Sequence, residues 1–211
     1  MADAIALETL AGEIRCCQLC ELAKTRTCAV PGEGNPHTEI MFIGEAPGLN
    51  EDRTGRPFVG AAGQFLTQLL TSIGLKREDV YITNIVKSRP PGNRDPLPEE
   101  IAACKPWLDQ QLEIIKPKVI VTLGRFSMSR FFPGQTISRI HGQAEDRKDF
   151  ICFPMYHPAA ALHQGNLRAV IEADMAKLPK ILEEIKKREH PTPIKIQPPE
   201  TASRQLDLFN F

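Results

Sequence analysis

The chain has no surplus of either charge. Its 26 lysines and arginines are matched by 26 aspartates and glutamates, so the formal net charge is zero. No global field draws it onto nucleic acid, and any phosphate contact must come from local clusters of basic residues. It also lacks an apolar run of about 18 residues, which argues against a membrane span. The opening MADAIALETLAGEI has no basic stretch followed by an apolar one, so no secretion signal is expected. No repeat of fixed period is visible. These absences point to the cytoplasm, where the six cysteines serve more naturally as thiols or metal ligands than as disulfides.

What is present suffices for a packed core. With 42% hydrophobic and 25% charged residues among 211, the chain fits one ordinary domain plus a tail and does not resemble a disordered one. Helical spacing of Ile5, Leu7, Leu10 and Ile14 predicts a helix over 4–15, broken at 16–20. Residues 31–36, rich in proline and glycine, form a turn-rich loop. Short apolar runs at 39–43, 80–84, 118–123 and 150–154 are expected to be four strands. Helices are expected over 61–73, 98–115, from 124 to 131, and as one long final helix over 166–187. Acidic residues in the first turn of the helix at 98 suit its dipole.

Strands alternating with helices predict an α/β fold: a three-layer sandwich with a central, mostly parallel four-stranded sheet and helices on both faces. In such sheets ligands sit beyond the carboxyl ends of the strands. The loops at 44–60, 84–97 and 154–165 all follow strands, so they should converge on one cleft.

Three features of those loops carry chemistry. Gly44-Glu-Ala-Pro-Gly48 lets backbone N–H groups approach a flat polar ligand, though it also suits an ordinary strand-to-helix turn. Asn84, at the end of a strand, can offer a donor and an acceptor to a planar imide or amide edge, or can cap a helix. His157, before Pro158, is either a structural histidine or a pocket donor. All three fall on the same end of the expected sheet.

Gly44-Glu-Ala-Pro-Gly-Leu-Asn-Glu-Asp52, Gly55-Arg-Pro-Phe-Val-Gly60, Tyr81-Ile-Thr-Asn-Ile-Val-Lys87, Arg89-Pro-Pro-Gly-Asn-Arg-Asp-Pro96 and His157-Pro-Ala-Ala-Ala161 resemble, in order and spacing, the iron–sulphur uracil-DNA glycosylases, the fourth family of that superfamily. The resemblance runs from about residue 17 to residue 178. It implies a monofunctional enzyme that flips uracil from DNA and hydrolyses its bond to the sugar, starting base excision repair. It also implies that Gly44, Glu45, Ala46 and Gly48 line the uracil pocket, that Phe58 stacks on the base, and that Asn84 reads its N3–H and O4. His157 would donate to O2, where negative charge develops as the base leaves; its protonation state is not readable from sequence.

A better-known glycosylase family carries an aspartate where this chain has Ala46. Water activation therefore falls to Glu45, Glu51 or Asp52, with Glu51 favoured, or the reaction rests on leaving-group stabilisation. No lysine suggests Schiff-base chemistry. Leu162 is placed to fill the gap left by a flipped base, or else packs on the last helix. Lys87, Arg89 and Arg94, with Arg53, Arg56 and Arg125, are expected to contact phosphates.

The resemblance further implies a [4Fe–4S] cluster held by Cys17, Cys20 and Cys104. The family's fourth cysteine position is Ser88 here, and an oxygen is a poorer partner for iron than a thiolate. That leaves four alternatives: Ser88 ligates weakly, three thiolates hold the cluster, Cys16 or Cys28 replaces it, or the site is empty. Cys28 and Cys152 otherwise suit small buried thiols. No nucleotide cofactor is expected.

Residues 1–188 are assigned to the glycosylase domain, 189–203 to a proline-rich linker, and 204–211 to a docking peptide. There Gln205, Leu206, Leu208 and Phe209 resemble the motif by which bacterial repair proteins bind the sliding clamp; a tail folding back on the domain is the other option. The expected partners are uracil-containing DNA and the clamp, with no membrane, and the enzyme is expected to be a monomer. Two further classes remain: a protein that binds uracil in DNA without turnover, and a redox iron–sulphur protein. The absence of histidine from 85–97 disfavours the covalent-trapping version of the first, and the incomplete ligand set disfavours the second.

Overall fold

The structure is a computed structural model in which residues 2–189 are described. The chain opens with α1 (Ala2–Cys16) and the single turn α2 (Leu22–Thr25), then β1 (Glu33–Gly34) and β2 (Ile40–Gly44). Next come α3 (Leu49–Thr54), α4 (Ala61–Ser72), β3 (Tyr81–Asn84), α5 (Pro98–Ile115) and β4 (Val119–Leu123). The remainder is α6 (Arg125–Phe131), α7 (Ile137–Ile140), β5 (Glu145–Asp146), β6 (Ile151–Met155), α8 (Ala160–His163), α9 (Asn166–Met175) and α10 (Leu178–Glu189).

The sheet order is β1-β3-β2-β4-β6-β5. The four inner strands pair parallel, with Gly44 opposite Asn84 at the carboxyl end of β2 and β3. Every residue of these four strands is buried, as helices on both faces require. Successive side chains point to opposite faces. Phe42, Val121 and Phe153 join Leu66 and Leu70 of α4, Ile171 and Met175 of α9 and Leu178 and Ile181 of α10 in one core. Met41, Ile43 and Ile120 join Leu7 of α1 and Cys104, Leu108 and Ile115 of α5 in the other. The expected three-layer sandwich is therefore present.

The sheet has six strands, not four. The two extra strands, β1 and β5, are antiparallel edges of two residues each, too short to show any period. The expected single final helix is two, α9 and α10. Pro179 cannot donate to residue 175, and its ring would collide with that carbonyl, so α9 ends at Met175. The expected loop at 44–60 contains α3. Of the linker expected over 189–203, Glu189 closes α10, and the rest, like the docking peptide with Gln205, Leu206, Leu208 and Phe209, lies outside the described residues.

Candidate active site

The loops after β2, β3, β4 and β6 meet in a cavity of about 780 Å³ at the carboxyl end of the sheet. It is lined by Glu45, Ala46, Gly48, Glu51, Phe58, Asn84 and His157, among others, so the sequence-derived pocket residues come together. Gly44 lies directly behind them. A Cβ on Gly44 would stand 2.4 Å from Asn84 Oδ1 and 2.5 Å from Phe58 Cζ, so only glycine lets these two side chains close over the strand end.

Asn84 is 1% exposed, and among the described residues its Oδ1 has no hydrogen-bond partner. A buried amide oxygen left unpaired costs roughly 1–3 kcal/mol, so this acceptor is open to a donor from outside the described chain. Beside it, Phe58 is 6% exposed and has a φ of +52°, a strained value for a bulky residue.

Three devices hold Phe58 there. The Arg77 guanidinium donates to the Phe58 carbonyl at 3.0 Å and to that of Pro57 at 2.8 Å, and is itself paired with Glu33. Glu51 Oε1 accepts the N–H groups of Val59 and Gly60, both at 2.8 Å, while its Oε2 accepts that of Gly48 at 3.1 Å. Finally, a Cβ on Gly63 would sit 1.8 Å from the Phe58 carbonyl oxygen, so α4 can start here only with glycine at that position.

His157 stacks on Phe58, with ring centroids 5.5 Å apart and an interplanar angle of 26°. Its Nδ1 accepts the N–H of Ala159 at 3.1 Å. Burial lowers its pKa to about 4, and the nearby Glu51 carboxylate only partly offsets this. The ring is therefore neutral at neutral pH, and because Nδ1 accepts, the proton sits on Nε2. The tautomer left open by the sequence is fixed by a backbone hydrogen bond.

Glu45 is half-buried and differs from Glu51. Among the described residues no hydrogen bond reaches its carboxylate. Burial, reinforced by Asp95 and opposed by Arg125, raises its pKa to about 7. Asp52, the third carboxylate considered for water activation, is buried away from the cavity and accepts the Thr27 N–H at 2.9 Å.

The basic residues divide. Arg94 and Arg125 line the cavity; Arg94 is held by Glu100 through two hydrogen bonds and Arg125 by Asp95. Arg89 donates to Asn93 Oδ1 at 2.6 Å. Lys87 cannot touch phosphate, contrary to the sequence-based expectation. It is 2% exposed and its ammonium is used entirely inside the protein, where burial lowers its pKa to about 7. Leu162, on α8, is 48% exposed beside the cavity residues Ala160 and His163.

Sequence reasoning did not single out Asn93, Asp95, His163 or Gln164, which also line the cavity. Their position in loops following β3 and β6 was the available signal. The structural role of Glu51 had one too, since an acid three residues after a helix N-cap, here Gly48, commonly reaches back to the cap.

Two of the three expected cluster cysteines accept hydrogen bonds from neighbouring N–H groups. The Trp107 indole N–H donates to Cys17 Sγ at 3.3 Å, and the Lys87 N–H to Cys104 Sγ at 3.4 Å. Burial raises the pKa of the Cys104 thiol, and charge on Cys20 or Cys17 would raise it further. Ser88 is buried, and its hydroxyl accepts the Arg26 guanidinium at 3.0 Å. Among the described residues no three His, Cys, Asp or Glu side chains are grouped to hold a single metal ion. A multi-iron cluster spreads its thiolates more widely than one ion does. Cys17, Cys20 and Cys104 are thiols of the right chemistry for such a cluster, whereas the Ser88 hydroxyl is already engaged by a guanidinium. Cys28 is half-buried, Cys16 is exposed, and Cys152 is buried, its thiol pushed up to about 12 chiefly by burial.

Residues 31–184 match the family model described as the uracil DNA glycosylase superfamily. The chain is 52% identical over 182 residues to a protein of Sulfurisphaera tokodaii named Type-4 uracil-DNA glycosylase, covering 82% of this chain and 83% of that one. It is 50% identical over 181 residues to a protein of the same name from Archaeoglobus fulgidus, covering 82% and 91%. A third of that name, from Thermotoga maritima, is 46% identical over 178 residues, covering 81% and 92%.

Proposed function

We propose, from the premise that this chain belongs to the uracil DNA glycosylase superfamily, that it excises uracil from DNA by hydrolysing the bond between base and sugar, without cleaving the strand. The observation that carries this reading is the buried Oδ1 of Asn84, without a partner among the described residues, set beside the Phe58 ring on its strained backbone and the Nε2–H of a neutral His157.

Uracil is inaccessible in a stacked duplex, so the nucleotide must be turned out into the cavity. Asn84 Oδ1 then accepts N3–H, its Nδ2 donates to O4, and Phe58 covers one face of the ring. As the bond from C1′ to N1 breaks, the electron pair moves onto the base and charge accumulates at O2. His157 Nε2–H meets that charge, and a neutral donor fixed beforehand stabilises it without reorganisation.

Water adds to C1′ and loses a proton. Glu45 suits this role better than Glu51, because both Glu51 oxygens already accept backbone N–H groups, whereas the Glu45 carboxylate is free of them. A pKa near 7 is matched to a general base at neutral pH. Leu162 on α8 is the side chain to enter the gap left by the base, and Arg89, Arg94 and Arg125 are the candidates for phosphate.

Cys17, Cys20 and Cys104 would hold a [4Fe–4S] cluster, with Ser88 at its weak corner. When bound, it would staple the segment after α1 to α5 and supply no chemistry to uracil. For residues 204–211 we retain clamp docking. Their deletion is expected to abolish binding to a bacterial sliding clamp and to leave uracil release from short oligonucleotides intact; unchanged clamp affinity would refute this. The glycosylase domain, working as a monomer, then corresponds to residues 1–188.

Uracil-containing single- and double-stranded oligonucleotides, treated with alkali after incubation, test the main reading. Free uracil formed over many turnovers is expected. Stoichiometric trapping on the protein, or no release, would overturn it.

A further inference from the structure

We propose that Lys87 is a positioning residue for Asn84: a buried cation that fixes the end of β3 so that the Asn84 amide meets the base in one orientation. This rests on Asn84 being the group that reads uracil.

Lys87 Nζ donates to three acceptors, each at 2.7 Å: the Asn84 backbone carbonyl, Thr83 Oγ1 and Gln111 Oε1. Two of these acceptors are carbonyl oxygens, and the Thr83 hydroxyl spends its own proton on Pro31. The geometry therefore calls for all three N–H donors of the ammonium form, despite the cost of burying it. Bonds from a charged donor are short and directional, and they constrain their acceptors more than neutral ones do. The acceptors are anchored in turn. Gln111 Nε2 donates to the Pro31 carbonyl at 2.8 Å and to the Tyr81 hydroxyl at 3.1 Å, while the Thr83 hydroxyl donates to Pro31 at 2.7 Å. Lys87 thereby ties the last two residues of β3 to α5 and to the segment before β1.

Burying a cation without a carboxylate beside it is costly, and an apolar side chain would fill the same space more cheaply. The placement of the contacts indicates what the charge is for. Among the described residues no protein group hydrogen-bonds to the Asn84 side-chain amide, so that amide takes its direction from its backbone and from Gly44 and Phe58 packed against it. The carbonyl of the same residue is the one that Lys87 grips.

The test uses the full chain, with free uracil as a competitive inhibitor of release from a uracil-containing oligonucleotide. Asn84→Ala is expected to weaken inhibition by uracil about tenfold or more, the loss of a buried hydrogen-bond pair. Lys87→Met should weaken it by about tenfold with KM for the oligonucleotide little changed, and Lys87→Gln, which keeps a donor, should recover part of the loss. Thr38→Val removes a buried hydroxyl outside this network, one that donates to the Ile40 and Asp79 carbonyls. It should lower the melting temperature while leaving uracil inhibition within about twofold. Adding Lys87→Met to Asn84→Ala should cost no further inhibition, because both act through one amide.

The proposal is overturned if the lysine variants lose uracil inhibition only as far as Thr38→Val does, or if the double variant is additive. Unchanged inhibition in Asn84→Ala would instead overturn the reading of Asn84 itself. Should Lys87→Met fail to fold, Lys87→Gln carries the same comparisons.

Discussion

The imidazole of His157 lies stacked on the ring of Phe58, 5.5 Å from centroid to centroid and tilted by 26°. The ring that would carry the base therefore also shields the imidazole that would receive the base's charge. Keeping the imidazole neutral and holding the base flat are consequences of one contact, and disturbing Phe58 should disturb both.

The first expectation concerns His157 itself. Its folded-state pKa, about 4, lies below the ordinary 6.5. Stability from the neutral ring is fully present above pH 6.5 and is lost as the pH falls toward 4. His157→Gln should flatten that acid limb in thermal melts and lower kcat by about 100-fold or more. An NMR titration of the parent should find the imidazole neutral at pH 5.5, with its proton on Nε2.

Glu45 has the opposite sign. Its pKa is raised from 4.5 to about 7. The stability linked to its protonated form is intact below pH 4.5 and lost as the pH rises through 7. Glu45→Gln should thus melt higher than the parent at pH 8 and equally at pH 4, while its kcat falls by about 100-fold. The parent's kcat should climb through pH 7.

Glu51→Ala frees three backbone N–H groups of the segment that sets Phe58. Urea unfolding should show a loss of about 2–4 kcal/mol, with activity falling further than a surface carboxylate would explain. If activity alone falls, Glu51 acts on water and not on the loop.

Gly63→Ala would normally favour a helix. Here its Cβ meets the Phe58 carbonyl at 1.8 Å, so we expect weaker inhibition by free uracil and a lower melting temperature together, measured in parallel with Gly12→Ala in α1, where no atom lies within 4 Å.

Ser88→Cys replaces the hydroxyl at the weak corner by a thiol. Iron and sulphide per chain in anaerobically purified protein should rise relative to the parent, together with visible absorption. An iron-free Ser88→Cys protein with full activity would remove the cluster from this chain.

The inner strands were legible because each is an unbroken apolar run buried on both faces, and the pocket followed because its loops all leave such strands. Asn84 and His157 stand at strand ends, where sequence position alone suggests a ligand. Lys87 was misjudged for a physical reason. A lysine beyond a strand ordinarily reaches water, and only the arrival of Gln111 from α5 and the folding back of Thr83 supply acceptors inside. The edge strands β1 and β5 left no trace in sequence, since two residues cannot display alternation. The break after Met175 was readable in principle from Pro179, four residues on.

The ion pairs at the cavity rim bear on how the protein meets a polyanion. Arg94 and Arg125 already hold Glu100 and Asp95, and Arg56, which does not line the cavity, holds Glu33. A phosphate that takes one of these arginines evicts a carboxylate as well as releasing counterions, so the exchange gains less than binding to a bare cation would. If these arginines meet phosphate as proposed, the electrostatic grip on ordinary duplex is expected to be light and its salt dependence shallow, so that the fit of a base in the cavity, more than charge, would arrest the protein on DNA.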